Sequence, residues 1–417
     1  NDRDRVNLVV VPTSLLFNWE NEIEKFTPQI RYKIHHGIDR TTDFRELLDY
    51  DLIITTYGLA ANDLELFNRI RFNYIVLDES QAIKNPSSKR YKAVCLLRGR
   101  NKLAMTGTPI ENNTFDLYAQ LNFLNPGFLG SQQGFKENFS KPIDGEGDRE
   151  RAAELQRLIK PFVLRRTKEQ VASELPPKVE DYLYCTMEAG QRQVYDAYRN
   201  RYRDYLMSKI EEEGLQRSKL FVLEGLLKLR QICDSPELLN DEEDYGKESI
   251  KIKELMSQIT EKTGRHKILV FSQFVKMLQI IRRRLEQQGL SYEYLDGQTT
   301  PRARERAVNH FQEDESCRVF LISLKAGGTG LNLTAADYVY LVDPWWNPAV
   351  ESQAIDRTHR IGQNKHIIAY RMICKGTVEE KILNYQKKKL KIASDIIHTD
   401  ESFMKSLTKE DISELFQ

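Results

Sequence analysis

Nothing in this sequence announces itself by excess. Basic and acidic residues nearly cancel, 62 against 61. Bulk charge therefore points to no nucleic-acid or membrane surface, and any such surface must be local. Cysteine is sparse, with five residues at 95, 185, 233, 317 and 374 and no C-x-x-C pair. The odd number and the scatter argue for a reducing compartment and against both a disulfide framework and a zinc site. No apolar run approaches the ~18 residues of a membrane span, and no signal peptide opens the chain. Internal repeats and low-complexity tracts are absent as well. What remains is an ordinary globular composition over 417 residues, 40% hydrophobic and 29% charged, enough for about two to four domains with sizeable cores. The chain opens without Met and reaches a strand within a few residues, which reads as an N-terminus cut from something longer.

Short apolar runs organise the first hundred residues: Leu8-Val9-Val10-Val11, Leu52-Ile53-Ile54, Tyr74-Ile75-Val76-Leu77 and Leu103-Ala104-Met105. Near-continuous apolar strands belong to parallel sheets covered on both faces. Each run ends in small or acidic polar residues, Pro12-Thr13-Ser14, Thr55-Thr56-Tyr57, Asp78-Glu79-Ser80 and Thr106-Gly107-Thr108-Pro109. Ligands collect beyond the carboxyl ends of such strands, so the pattern predicts a functional edge. From about 111 to 240 the reading is helical, with long helices near 188–212 and 217–233. Leu175-Pro176-Pro177-Lys178 reads as a stiff extended linker, because proline excludes helix at and before itself. The acidic tract 241–244 reads as a boundary loop. Alternation resumes at Lys267 to Phe271 and continues to Tyr370. The fold class is thus α/β, two parallel-sheet lobes separated by helical protrusions. The expected divisions are 1–118 for the first lobe, 119–178 for a helical protrusion and linker, 179–248 for a second protrusion, 249–375 for the second lobe and 376–417 for a C-terminal brace and tail.

Late in the chain stands Gln353-Ala354-Ile355-Asp356-Arg357-Thr358-His359-Arg360-Ile361-Gly362-Gln363. Read as a helix, it puts Gln353, Arg357 and Arg360 on one face, with Gly362 where a left-handed residue commonly ends a helix. Neither arginine has an acidic residue three or four positions on, so the pair invites an anion from elsewhere; a solvated helix face is the plain alternative. Tyr74-Ile75-Val76-Leu77-Asp78-Glu79 is a buried strand ending in two carboxylates, an arrangement that also occurs without function.

Taken together and in order, the motifs resemble the Swi/Snf-type remodelling ATPases, the double-stranded-DNA-translocating branch of the superfamily 2 helicases. The matching runs are Asp78-Glu79-Ser80-Gln81-Ala82-Ile83-Lys84-Asn85, Thr106-Gly107-Thr108-Pro109-Ile110-Glu111-Asn112, Leu164-Arg165-Arg166-Thr167-Lys168 and Leu229-Arg230-Gln231-Ile232-Cys233. They continue as Val270-Phe271-Ser272-Gln273-Phe274, Asp296-Gly297-Gln298-Thr299, Lys325 to Leu333 and Asp343-Pro344-Trp345-Trp346-Asn347-Pro348, followed by the arginine stretch. The resemblance spans about residues 8 to 390. It implies two RecA-like lobes, the first incomplete here, and ATP and Mg2+ as cofactors. Asp78 would hold the magnesium of the nucleotide and Glu79 would act as catalytic base. Arg357 and Arg360 would be arginine fingers, with Gln353 and Gly330 near the nucleotide, and closure of the lobes would bring the two sets together. Thr106 and Thr108 would link the ATP site to the DNA track.

The implied partner is double-stranded DNA, bound through hydroxyls and backbone amides at helix starts. Thr13, Ser14, Thr55, Thr56 and Thr108 face DNA in the first lobe by this resemblance, and Ser272, Gln273, Thr299, Lys325, Gly327 and Trp346 in the second. For any single Ser or Thr a helix cap is an equal reading, and a core role is open for the tryptophans. Between Arg357 and Ala393 lie ten Lys/Arg against two Glu; Lys387-Lys388-Lys389, after Gly376 to Ile382, fits a brace near phosphates. Arg165-Arg166 fits either a salt-bridged or a direct role.

The sequence departs from the family in three places. Gln81 stands where many members have His; an amide there can still bridge to the second lobe. Asp234-Ser235-Pro236 replaces the usual Asn-His-Pro. No G-x-x-x-x-G-K-[ST] occurs, the only Gly-Lys being Gly246-Lys247 followed by Glu248, so the loop that cradles phosphates is missing and is expected just upstream. The expected function is a double-stranded-DNA translocase that remodels protein–DNA complexes, present as a monomeric core that hydrolyses little ATP unaided. The rivals are a strand-separating helicase and a non-catalytic DNA-binding regulatory module. The protein remodelled is unspecified; a bacterial, nucleoid-associated setting is favoured over a nuclear one.

Overall fold

The structure, a computed structural model, describes residues 6–107, 114–145, 147–166, 168–172, 174–213, 215–239, 246, 248–327, 331–344, 348–360, 362–390 and 409–416. The chain divides into two units, 1–171 and 172–417. In the first, strands β1 (Asn7–Val11), β2 (Tyr32–His35), β3 (Leu52–Thr56), β4 (Phe72–Leu77) and β5 (Gly99–Ala104) form one sheet in the order β2-β3-β1-β4-β5. Every pairing is parallel. The central β1 is apolar throughout because both its faces are covered. Leu8 and Val10 pack with Ile53, Ile75 and Leu77 on one side. Val9 and Val11 lie under Leu15, Leu16 and Ile23, from the Leu16–Phe26 helix and the turn before it, on the other. Parallel pairing puts all the strand C-termini on one edge. Thr13-Ser14, Thr55-Thr56, Asp78-Glu79 and Thr106 are gathered there.

Beyond β5, the Phe115–Leu124 helix is buried almost all round. Ala119 and Phe123 join the sheet core, while Leu117, Tyr118 and Leu121 join a second cluster with Phe135, Ile143 and Leu155. This all-round burial is why the sequence there carries no amphipathic stripe.

The second unit carries a six-stranded parallel sheet, β6 (Lys178–Cys185), β7 (Ile268–Ser272), β8 (Tyr292–Leu295), β9 (Val319–Ser323), β10 (Tyr338–Leu341) and β11 (Ile367–Cys374), in the order β6-β11-β10-β7-β9-β8. The strand β6 corrects the expectation that residues from 179 on are helical. It pairs with β11 along its whole length, from Lys178 opposite Ile367 to Cys185 opposite Cys374. It is an edge strand whose Lys178, Glu180 and Asp181 blunt the exposed side, and those charges mask its β-branched and aromatic character in the sequence. The helices Ala189–Glu213 and Leu215–Asp234 follow. Their Tyr195, Leu206, Val222, Leu226 and Leu229 share one core with Ile268, Val270, Tyr340 and Met372 of the sheet. Ile412, Leu415 and Phe416 of the Lys409–Phe416 helix enter the same core. Gly225 allows that approach, since a Cβ there would lie 3.0 Å from the Phe416 ring and 2.9 Å from Tyr202. No helix among the described residues is long and apolar enough to cross a membrane.

Candidate functional site

At the end of β4 the chain turns sharply. Glu79 has φ 48° and ψ 53°, the only left-handed non-glycine residue among those described. Such a conformation costs about 1–3 kcal/mol and persists only where its surroundings enforce it. They do. The Asp78 backbone N–H donates to Val10 O at 2.9 Å, the Ser80 N–H to Met105 O at 2.9 Å, and Tyr57 Oη donates to Asp78 O at 2.7 Å. The Asp78 carboxylate accepts the Glu79 N–H on Oδ1 at 2.9 Å and the Trp19 indole N–H on Oδ2 at 2.8 Å. Each oxygen keeps a further lone pair, and the residue is half-exposed. One such carboxylate suits Mg2+, which takes one or two carboxylates and fills its remaining positions with water and phosphate oxygens. Asp78 is thus the residue that would hold a nucleotide's magnesium, which would supply charge neutralisation at the phosphates.

Gln81 is bonded to residues of the first unit. Its Nε2 donates to Glu79 Oε2 at 2.8 Å, and its Oε1 accepts the Thr106 hydroxyl at 2.8 Å. The amide therefore joins the expected base to the end of β5 with both its donor and its acceptor used. Ser80 is buried and donates to Gln120 Oε1 at 2.8 Å, fixing the same turn from the Phe115–Leu124 helix. Trp19, Tyr57 and Gln120 were not legible as part of this arrangement, because each comes from a distant stretch with no spacing relation to Asp78.

The arginine stretch is not one helix. The Pro348–Ile355 helix ends before either arginine, and Arg357 and Arg360 lie in the turns that follow. The Arg357 and Thr358 N–H groups donate three residues back, to Ala354 O at 3.2 Å and Ile355 O at 3.0 Å, and the Thr358 hydroxyl donates to Ile355 O at 2.7 Å. These contacts tighten and stop the helix. The Arg357 carbonyl then accepts the Leu333 N–H at 3.1 Å. Buried Gln363 donates through Nε2 to the carbonyls of Thr334, Ala336 and Thr358 at 3.0, 3.1 and 3.0 Å. Gly362, with φ 99°, takes the left-handed conformation expected of it. Arg357 is buried, and Gln353 and Arg360 are half-buried.

The Pro-Pro segment read as a linker helps to hold that turn. His359 Nε2 lies 2.9 Å from the Pro176 carbonyl, which can only accept, so this nitrogen carries the proton. Lys178 Nζ reaches Asp356 Oδ1 at 3.3 Å. Arg371 of β11 joins Glu351 at 2.5 Å to Glu180 at 2.8 Å, tying the short helix to β11 and to the edge strand β6.

The residues expected to face DNA have different surroundings. Thr13 is exposed and Ser14 half-buried in a 3-10 turn (Thr13–Leu15) before the Leu16–Phe26 helix. Thr55 is buried and donates to His35 O at 3.1 Å, while Thr56 is buried and caps the Tyr57–Asn62 helix by accepting the Leu59 N–H at 3.3 Å. Ser272 is buried, its hydroxyl accepting the Phe274 N–H at 3.0 Å. Gln273 donates its backbone N–H to Asp343 Oδ2 at 3.0 Å; its side-chain nitrogen has no partner among the described residues. The Thr299 hydroxyl accepts the Asp296 N–H at 3.0 Å. Lys325 is exposed on the Leu324–Gly327 turn of helix, which buried Arg304 anchors by donating to Ala326 O at 3.0 Å. Thr108, Gly330 and Trp346 lie outside the described residues. Arg165 and Arg166 are exposed and have no ion-pair partner among the described residues.

The replacement of Asn-His-Pro by Asp234-Ser235-Pro236 now has a structural account. Asp234 is fully buried and meets Lys251 Nζ at 2.9 Å; the same ammonium reaches Glu379 Oε1 at 2.6 Å and donates to Val342 O at 2.7 Å. Burial pushes the Asp234 pKa up, while the facing carboxylates keep Lys251 cationic. Asp343, one residue beyond Val342, is fully buried and is pushed up to about 6, chiefly by desolvation. Cys233, Cys374 and Glu379 are the one group among the described residues with metal-ligand spacing. Both Glu379 oxygens are engaged, by Lys251 and by the Cys374 N–H at 2.9 Å; burial pushes the Cys233 thiol up, and the hydrogen bond with Cys233 followed by burial raises that of Cys374. The Lys251 ammonium already supplies the positive charge this carboxylate holds.

Residues 2–238 match the SNF2-related domain and residues 250–362 the helicase conserved C-terminal domain. The chain belongs to the SNF2-related family. Over 420 residues it is 38% identical to the Bacillus subtilis protein YwqA, which carries the name ATP-dependent helicase/translocase; the match covers 98% of this chain and 45% of that one. It is 34% identical over 466 residues to the TATA-binding protein-associated factor MOT1 of Saccharomyces cerevisiae, covering 98% of this chain and 25% of that one. The chain therefore spans less than half the length of these relatives. Among solved structures it is similar to the Sulfolobus solfataricus SWI2/SNF2 ATPase core in complex with dsDNA, at 37% identity over 99% of this chain and 86% of that one. The TM-score of that match is 0.49.

Proposed function

We propose that this chain is the motor core of an ATP-dependent double-stranded-DNA translocase that remodels protein–DNA complexes. The observation that carries the reading is the Asp78-Glu79 turn. It is a left-handed, over-determined strand end that presents one magnesium-competent carboxylate and, through Gln81, hydrogen-bonds the other to Thr106. In this reading Asp78 holds the metal of MgATP, Glu79 orients and deprotonates the attacking water, and Arg357 and Arg360 neutralise charge developing on the γ-phosphate. Thr13, Ser14 and Lys325 supply DNA-phosphate contacts that position the protein without reading sequence. The phosphate-cradling loop is not in this sequence, so hydrolysis belongs to a polypeptide that carries one.

The substrate is a DNA-bound protein, a class suggested by the name of the yeast relative, and the setting is wherever DNA is packed, the nucleoid in a bacterial cell. The relatives named as helicases favour strand separation as the second reading. The test is the ATPase rate of the loop-containing polypeptide without DNA, with single strands and with duplex. Stimulation by duplex, abolished by Glu79→Gln or Arg360→Ala, is expected. Equal rates in all three conditions would overturn the translocase reading, and unwinding of a fork substrate would favour the helicase.

A further inference from the structure

We infer that Trp19 is a positioning residue through which DNA contact at Thr13 and Ser14 is transmitted to the Asp78 carboxylate. This deepens the translocase reading and rests on it. Thr13 and Ser14 begin a 3-10 turn that runs without a break into the Leu16–Phe26 helix. Trp19 lies in the first full turn of that helix, about 10 Å along the axis from Thr13 at 1.5–2 Å per residue. Leu15, Leu16 and Ile23 clamp the segment to Val9, Val11 and Ile54, and Trp19 packs against the same cluster. The turn and the indole are therefore one packed piece.

At the other end, the indole N–H meets Asp78 Oδ2 at 2.8 Å while the Glu79 N–H holds Oδ1 at 2.9 Å. The indole is the one side chain among the described residues that fixes the rotation of this carboxylate. Thr13 and Ser14 differ from Thr55 and Thr56 in the sense the inference needs. The latter pair spend their hydroxyls on His35 O and the Leu59 N–H, whereas those of Thr13 and Ser14 have no partner among the described residues. A phosphate bound at the start of this segment loads the helix along its axis. The displacement arrives at the metal ligand as a reorientation of one hydrogen bond, toward or away from the geometry that suits MgATP.

Trp19→Phe keeps the ring and removes only the N–H. In the loop-containing polypeptide, the ratio of duplex-stimulated to DNA-free ATPase rate is expected to fall at least about five-fold. The Mg2+ concentration for half-maximal rate is expected to rise several-fold, and duplex affinity by fluorescence anisotropy to stay near wild type. Hydrogen exchange gives a readout independent of turnover: duplex should protect backbone amides of 77–83 in wild type, and this protection should be lost in Trp19→Phe and in Thr13→Ala/Ser14→Ala. A purely structural indole would lower both rates in parallel and leave the Mg2+ dependence and the protection unchanged, which overturns the inference. Should wild type neither bind nor respond to duplex, the translocase reading falls and takes this one with it. Should wild type respond and Trp19→Phe respond equally, only the role of Trp19 falls.

Discussion

The two charged clusters that the proposed function assigns to a nucleotide are built by opposite means. The Asp78-Glu79 turn ends a strand. Its position follows from β-ladder register and from bonds to Val10 of β1 and to Met105, just beyond β5. The Arg357–Arg360 segment belongs to no regular element. It is held by Leu333, Gln363, Pro176 and Lys178, drawn from stretches up to about 180 residues away in sequence. A carboxylate pair at a strand end is made stiff by the sheet, whereas an arginine pair in a turn is only as stiff as the side chains that pin it. The same contrast appears in two acids that follow strands. Asp78 is half-exposed with lone pairs to spare, while Asp343 is fully buried, holding the Gln273 N–H.

The sharpest way to break the comparison is to remove one charge from each cluster. Glu79→Gln and Arg360→Ala should each lower duplex-stimulated ATP turnover in the loop-containing polypeptide by about 10³-fold or more. A variant that keeps near-wild-type turnover would exclude its cluster from the chemistry. Lys251→Met leaves Asp234 and Glu379 buried without their cation and should destabilise the second unit by about 3–5 kcal/mol; unchanged denaturant unfolding would refute a structural role for that ammonium. Gln363→Leu strips three carbonyls of a donor and should cost about 2 kcal/mol. Its turnover should fall more than that of Arg165→Ala, whose side chain is exposed.

A smaller effect is a trend with pH. The folded-state pKa of Asp343 lies above its unfolded value, so the native state binds the extra proton between about pH 4 and 6 and loses stability as pH rises through that window. Asp343→Asn lacks this titration, so its melting temperature should rise relative to wild type from pH 4 to 7, by the equivalent of up to about 2 kcal/mol. A constant difference would mean that Asp343 does not titrate there. Smallest of all, Gln81→Ala should slow turnover about ten-fold by releasing Glu79 from Thr106. An unaltered rate would leave the amide a purely structural link.

How much of this was readable in advance depended on range. The apolar runs of β1 and β3 and their polar ends were legible because burial on both faces writes itself into consecutive residues; those of β4 and β5 are apolar although Tyr74 and Leu103 are exposed. The strand β6 was not legible, since an edge strand carries charge on its open side and each of its residues pairs with one 189 positions later, from Lys178 opposite Ile367 onward. The arginine helix was misread because the i, i+4, i+7 spacing is equally compatible with a turn, and helix termination here is decided by acceptors and donors outside the stretch. Asp234 had no visible purpose until Lys251 was placed beside it.

The sequence by itself determined the family, the parallel α/β class and the identity of the acidic and arginine residues, because these are carried by local runs whose order along the chain is informative. Tertiary structure alone decided that Glu79 sits in a left-handed turn and that Gln81 joins it to Thr106. It also decided that Trp19 holds the carboxylate of Asp78 and that a proline segment and a buried glutamine pin the arginines. Each of those rests on hydrogen bonds between groups far apart in sequence, and such bonds depend on distance and angle in the folded chain, about which residue spacing says nothing.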